Sequence, residues 1–291
     1  MFTQPDLYIG GGLLQLTRCD TCSIVYLNPR LTLDSIATLE DNSSVYHFSP
    51  EAAEERIVFL MGLVSSLERF SHRRGRLLDI GCNGGLLLEA GRRLGWQVVG
   101  VELSPVAARR ARADFGLEVY GRFNDVFALE PFDLIVAWHV LEHTHDPVAF
   151  LRQAVHVMRT DGVLALQVPS LDFLGEFQRR SEISKLVCAV HNFYFTEDSL
   201  RLVLLRAGLT PTWEWNDADD LTLTVICSRK PAEQCLVSPA PLPDQLPSLF
   251  RRAFYSLRYL GLRIFLMKAW VYLRRRLARV CPYGKPKEKE Q

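Results

Sequence analysis

Leu77-Leu78-Asp79-Ile80-Gly81-Cys82-Asn83-Gly84-Gly85 reads as a buried strand that runs into a glycine-rich turn, with a helix following at Leu86–Leu94. In an open parallel sheet, ligands bind where strands end and helix N-termini point into a crevice. Gly81 removes the side chain where a ligand must approach the backbone. Asn83 stands where glycine is commonest, and asparagine tolerates left-handed backbone better than most residues. Gly85 permits close contact between strand and helix. The next strand, Gln97–Val101, ends in Glu102 and Leu103, and an ionised carboxylate at that tip can accept both hydroxyls of a ribose.

Two cofactor classes suit such a turn: nicotinamide or flavin dinucleotides, and S-adenosylmethionine. The dinucleotide fingerprint wants G-x-G-x-x-G facing a pyrophosphate. This turn reads G-x-N-G-G and lacks the middle glycine, and Asp79 stands two residues before the first one. A carboxylate there suits a ligand with a cationic amino group and a sulfonium, and suits a diphosphate badly. The expected cofactor is S-adenosylmethionine.

Working outward, strand and helix alternate from Arg76 to Ser228. Ser104 caps a helix that opens at Pro105 and runs to about Phe115. Phe132–Trp138 is an apolar strand, followed by a helix from about Pro147 to Met158 and a strand at Gly162–Val168 stopped by Pro169. Thr196 caps a helix ending at Gly208, and strands at Leu209–Trp215 and Leu221–Ser228 close the segment. This alternation means an α/β protein with a mostly parallel sheet covered by helices on both faces. Ahead of it, Pro50 and Glu51, Glu54 and Glu55 open a helix running to about Phe70, with the acids at the positive end of its dipole.

The flanks differ in character. Residues 1–48 read as an irregular segment rich in Gly, Asn, Ser and Asp, carrying Cys19-Asp20-Thr21-Cys22 and then Asn28-Pro29-Arg30. Residues 49–230 hold the cofactor-binding domain, residues 231–247 form a Pro-rich linker, and residues 248–291 read as a long basic helix and tail. The chain of 291 residues has a formal net charge of only +1, but residues 245–291 carry twelve Lys/Arg against two Glu, a balance of +10, so residues 1–244 carry −9. An acidic body is not the footprint of a nucleic-acid-binding core. No run approaches about 18 uncharged apolar residues, so no spanning helix is expected. The opening residues do not read as a secretory signal, so none is expected, and the seven cysteines read as free cytosolic thiols.

The motifs together resemble the class I S-adenosylmethionine-dependent methyltransferases, in particular a bacterial group with an LLDIGCG-type first motif and a W-H-V-L-E-H motif after the fourth strand. The matching residues are Asp79 to Gly85, Val99-Gly100-Val101-Glu102, Phe132-Asp133-Leu134-Ile135, Trp138-His139-Val140-Leu141-Glu142-His143, Asp146-Pro147, His191-Asn192-Phe193-Tyr194-Phe195-Thr196 and Leu204-Leu205-Arg206-Ala207-Gly208. The resemblance implies a Rossmann-like seven-stranded sheet with a final antiparallel strand. It implies a cofactor site made by Asp79, Gly81, Cys82, Asn83, Gly85, Glu102, Leu103, Trp138 and His139. It leaves the acceptor open among small molecules and lipid-linked glycans, with O-methylation by in-line transfer as the leading chemistry. A catalytically inactive cofactor-binding module on the same fold is the alternative.

His143 and His191 are the candidate general bases. Each has a plain counterpart reading: His143 as a loop residue bonded to Glu142 or backbone, His191 as a packed loop histidine. His139-Val140-Leu141-Glu142-His143 spells the H-x-x-E-H of an inverted zinc protease, but it directly follows a buried strand, so no metal is expected there. Cys19 and Cys22 make half a zinc-ribbon ligand set, and half a set binds poorly. In the basic helix, Leu249, Ala253, Leu257, Leu260, Ile264, Met267 and Val271 share one face. That face would dock on the body, on a second copy, or on an anionic membrane surface. The expected location is cytoplasmic, with the inner face of the membrane as the place such a helix would touch.

Overall fold

Both faces of the central strands are covered by apolar layers, which is why those strands read as unbroken apolar runs. The computed structural model describes residues 8–9, 12–13, 15–32, 48–172, 190–217 and 222–229. The chain divides into two units, Met1–Pro239 and Ala240–Gln291. The expected linker and basic helix lie outside the described residues.

Short strands come first. β1 (Tyr8–Ile9) pairs with β2 (Gly12–Leu13), and β3 (Leu16–Arg18) pairs with β4 (Val25–Leu27). Helix α1 (Pro50–Leu67) opens under a Ser49 cap whose Oγ accepts from Ala52 N–H at 3.2 Å. Then come β5 (Arg76–Ile80), α2 (Leu86–Arg93), β6 (Gln97–Val101), α3 (Pro105–Phe115), β7 (Val119–Tyr120), β8 (Phe132–Trp138), α4 (Pro147–Val157) and β9 (Met158–Pro169). Finally come β10 (Phe193–Tyr194), α5 (Glu197–Arg206), β11 (Thr210–Asp217) and β12 (Thr222–Ser228). The expected caps are in place: Ser104 Oγ accepts from Ala107 N–H at 3.1 Å, and Thr196 Oγ1 from Ser199 N–H at 3.2 Å.

The main sheet has seven strands in the order β11-β12-β9-β8-β5-β6-β7. Neighbours from β9 to β7 are parallel, whereas β12 is antiparallel to both β9 and β11. Leu78, Ile80, Ile135, Ala137, Leu164 and Leu166 face one apolar layer, with Leu151, Ala154, Leu200 and Leu204 of α4 and α5. Leu77, Leu134, Val136, Val163 and Ala165 face the other, with Ile57, Leu60, Leu88 and Ala111 of α1, α2 and α3. The sheet is built outward in both directions from β5. Strand order therefore reverses between β5 and β8, and a crevice opens above their carboxyl ends.

Two expectations about the elements are corrected. The N-terminal region is not irregular throughout: β3 and β4 form an antiparallel ladder, and β10 adds to β4, with Phe193 opposite Tyr26 and Tyr194 opposite Val25. Ile24 and Leu27 are buried, and Ile24 joins the same apolar layer as α4 and α5. Apolar anchoring, not length, sustains these three-residue strands. β9 begins at Met158 rather than Gly162, because Met158 already pairs with Phe132 before a register shift lets Val163 pair with Leu134.

Candidate active site

Backbone bonds and one carboxylate build the turn after β5. Gly81 and Cys82 N–H both donate to Val101 O, at 2.8 and 3.1 Å, which folds the turn over the end of β6. There Glu102 Oε2 accepts from Asn83 N–H at 2.8 Å and Oε1 accepts from Ser104 N–H at 2.8 Å. Each carboxylate oxygen has more than one acceptor direction, so this anchoring is compatible with acceptance from ribose hydroxyls. Asn83 takes φ +49°, and its Oδ1 accepts from Gly84 N–H at 2.6 Å. Gly81 has φ +73°, and a Cβ there would lie 2.5 Å from Val140 Cγ2. The turn after β5 and the loop after β8 therefore touch. At Gly85, φ +82°, a Cβ would lie 2.5 Å from Leu117 Cδ1 and 3.0 Å from Ala111 Cβ, so the close approach is to α3 and its end.

Asp79 is 5% exposed. Burial first, and then the Glu102 charge, push its carboxyl well above the ordinary aspartate value. A buried carboxylate repelled by a second one is relieved by a cation, and a sulfonium and an ammonium fit that demand. Cys82 lies in the turn and fills space. Its side chain is buried in the core, and its Sγ would be 2.6 Å from a Cβ at Gly100. Burial, then the Asp79 and Glu102 charges, push its thiol far above the ordinary value. It is an inert space-filler over Gly100 and offers a cofactor its backbone alone. Leu103 is 60% exposed, an apolar side chain standing at the carboxyl end of β6.

β8 delivers Trp138 and His139 to the other side of the crevice. His139 takes φ +54°, its N–H donates to Gln167 O at 2.9 Å, and its ring is 48% exposed. Its Nδ1 lies 3.2 Å from Glu142 Oε1. Glu142 is fully buried in a single 3₁₀ turn, Leu141–His143. Burial pushes its carboxyl up, but the His139 hydrogen bond and the charges of His143, His139 and His191 outweigh that and hold it below the ordinary glutamate value. His143 Nδ1 lies 3.0 Å from Val190 O. A carbonyl only accepts, so Nδ1 carries the hydrogen and Nε2 is the basic nitrogen. The His143 and His191 rings meet edge to face with centroids 4.9 Å apart, and Tyr194 packs on His191 at 6.0 Å.

The structure thus gathers His139, Glu142, His143 and His191, and sets the Asp79–Glu102 pair across the crevice from them. Glu142, His143 and His191 each offer a ligand atom, and these atoms lie within 4.8 Å of one another. Such a cluster could hold a divalent cation. The pairing of His191 with the H-x-x-E-H run is a tertiary event that sequence spacing could not disclose. Nor are His139 and His143 presented on one α-helical face, as the protease motif requires. Among the described residues no third ligand joins Cys19 and Cys22. Asn192, fully buried, had no role in the sequence reading, and Glu142, also fully buried, entered it only as a bond partner of His143; the only further signal was their place inside matched motifs.

Known proteins agree with this fold. A family model described as "Methyltransferase domain" matches residues 52–213. The ubiquinone biosynthesis O-methyltransferase of Ruegeria sp. (strain TM1040) is 30% identical over 177 residues, covering 52% of this chain and 71% of that protein. Its namesake from Ruegeria pomeroyi (strain ATCC 700808 / DSM 15171 / DSS-3) is 31% identical over 177 residues, with the same coverage of 52% and 71%. The solved structure of TnmH superposes with a TM-score of 0.50 at 16% identity, covering 61% of this chain and 56% of that one, which speaks for the fold alone. The parallel sheet with its inserted antiparallel strand, the acidic glycine turn and the matched domain have one reading: the chain belongs to the methyltransferase-domain family and is an S-adenosylmethionine-dependent methyltransferase.

Proposed function

We propose that the protein transfers the methyl group of S-adenosylmethionine to a hydroxyl oxygen of a small aromatic acceptor, with His143 and His191 managing the hydroxyl proton. One observation carries this reading. Four buried polar side-chain atoms among the described residues have no partner, and two of them belong to this corner: Glu142 Oε2 and Asn192 Oδ1. Two acceptors held out of water match an occupant that brings a hydroxyl donor. The names of the two Ruegeria relatives support an oxygen as the methylated atom.

The cofactor supplies an electrophilic methyl on a sulfonium that leaves as a neutral thioether. Asp79 and the Gly81–Gly85 turn would hold the methionyl end and Glu102 the ribose. Holding the acceptor oxygen in line, at roughly 3 Å from the methyl carbon, is a large share of the rate. His143 Nε2 is the basic nitrogen for the hydroxyl proton, and the buried Glu142 carboxylate stabilises the imidazolium that forms. The same three donors can instead hold a divalent cation, a use favoured by the unpartnered Glu142 Oε2; such an ion would acidify a bound hydroxyl.

The test uses labelled methyl donor with catechol and simple phenols, with and without chelator. His191→Ala and His143→Ala should each lower turnover about 10²-fold while leaving cofactor affinity within about twofold. Loss on chelation, restored by a divalent cation, selects the metal reading over the direct base. Cofactor binding by calorimetry without transfer to any hydroxyl would overturn the proposal and leave an inactive binding module.

A further inference from the structure

The strands β3 and β4, with the Asn28-Pro29-Arg30 segment after them, lie upstream of the residues matched by the family model. They are nevertheless bonded into the acceptor side of the site. The joint is Asn192, fully buried beside His191. Its backbone O accepts from Leu27 N–H of β4 at 3.0 Å, and its N–H donates to Glu142 O at 2.7 Å. Its Nδ2 donates to His143 O at 2.9 Å and to Thr144 O at 3.3 Å. Arg30 continues the row: Nη1 donates to His145 O at 3.0 Å, with its guanidinium 5.4 Å from the Phe193 ring centroid. His145 Nε2 donates in return to Leu31 O at 2.9 Å. Four consecutive carbonyls, from Glu142 to His145, are therefore held by Asn192 and Arg30. This stretch has one 3₁₀ turn and no ladder of its own to fix it. A loop held carbonyl by carbonyl is pre-organised, and the ring it carries is aimed with it.

We propose that the N-terminal hairpin is a working part of the active site, in which Asn192 and Arg30 are positioning residues that set the backbone and ring orientation of His143. The inference rests on the reading of His143 as the proton acceptor. Without the row of bonds, the His143 ring loses its alignment on Val190 O, and with it the tautomer that leaves Nε2 basic. Arg30 is exposed and touches neither the cofactor turn nor the acid pair, so its effect should fall on turnover and not on cofactor binding.

The experiment compares full-length Arg30→Ala, Arg30→Lys and Asn192→Ala with the parent. It measures S-adenosylmethionine affinity by calorimetry, methyl transfer to catechol, and histidine tautomers by ¹⁵N NMR on ring-labelled protein. Arg30→Ala should lower kcat about tenfold and Asn192→Ala about 10²-fold, the scale of an ångström-level misplacement, with cofactor affinity within about twofold. Arg30→Lys, which can still donate to His145 O, should recover most of the loss. In Arg30→Ala the His143 signals should pass from the single Nδ1–H tautomer to a mixture. A lower melting temperature with unchanged tautomer and unchanged turnover per folded molecule would overturn the proposal, as would a loss confined to cofactor affinity. If Asn192→Ala does not fold, Arg30→Ala carries the test alone. If the parent methylates no hydroxyl, the tautomer readout still decides the positioning role, so the two failures are distinguishable.

Discussion

Asp79→Asn should make the protein more stable and less able to bind its cofactor. The side chain keeps its shape and loses its charge. In the parent, burial and then the Glu102 charge raise the folded-state carboxyl well above its ordinary value, while the unfolded chain titrates near about 3.9. The folded state therefore holds a proton where the unfolded chain has released it, and stability falls as pH climbs from about 4 through the folded value. Asparagine removes that penalty. A gain of about 1 kcal/mol is typical of relieving such a conflict in a functional site, which for a domain of this size is roughly 2–4 °C in Tm. The gain should be larger at pH 8 than at pH 5. Cofactor affinity should move the other way, because a desolvated cation loses its charged partner: about 1.5–3 kcal/mol, or roughly 10- to 150-fold in Kd. Parent binding should also release a proton, seen by calorimetry in buffers of different ionisation enthalpy, and the variant should release none. A variant that melts lower than the parent at pH 8, or binds S-adenosylmethionine with parental affinity, would refute the reasoning.

Glu102→Gln keeps one acceptor oxygen and turns an amide N–H₂ toward either Asn83 N–H or Ser104 N–H, so one of the two 2.8 Å bonds is lost. Cofactor affinity should weaken about tenfold, with about 1–2 kcal/mol lost in urea unfolding. Gly81→Ala places a methyl at φ +73° and 2.5 Å from Val140 Cγ2. Thermal unfolding should show about 1–3 kcal/mol of destabilisation, and catechol methylation should fall with it, because Val140 begins the loop that carries His143.

Much of the fold was legible because its cues are local. The apolar run into Gly81, the Ser104 and Thr196 caps and the left-handed Gly208, at φ +82°, each rest on a few adjacent residues. The cofactor side was readable for the same reason, since one turn and one strand tip contain it. What escaped depends on partners distant in sequence. Leu16–Arg18 and Val25–Leu27 are too short to show alternation and are held by Ile24 and Leu27 in the core. The polar start of β9 reads as a turn, yet Arg159 lies 3.3 Å from the buried Asp133, which also binds Arg73 at 2.6 Å. The size role of Cys82 was readable from the turn, but the hole it fills was not, because that hole is left by Gly100 on the neighbouring strand. The corner of His143, His191 and Asn192 exists only once β10 lies against β4.

β12 is the last described strand in the chain, but it is not at the edge of the sheet. It is wedged between β9 and β11, and every one of its residues is buried. During synthesis, β9 must wait with an unpaired flank until Ser228 has cleared the ribosome, and only then can the sheet zip shut. Until that moment the nascent chain shows an open strand edge to its surroundings, the interval in which a chaperone has most to protect.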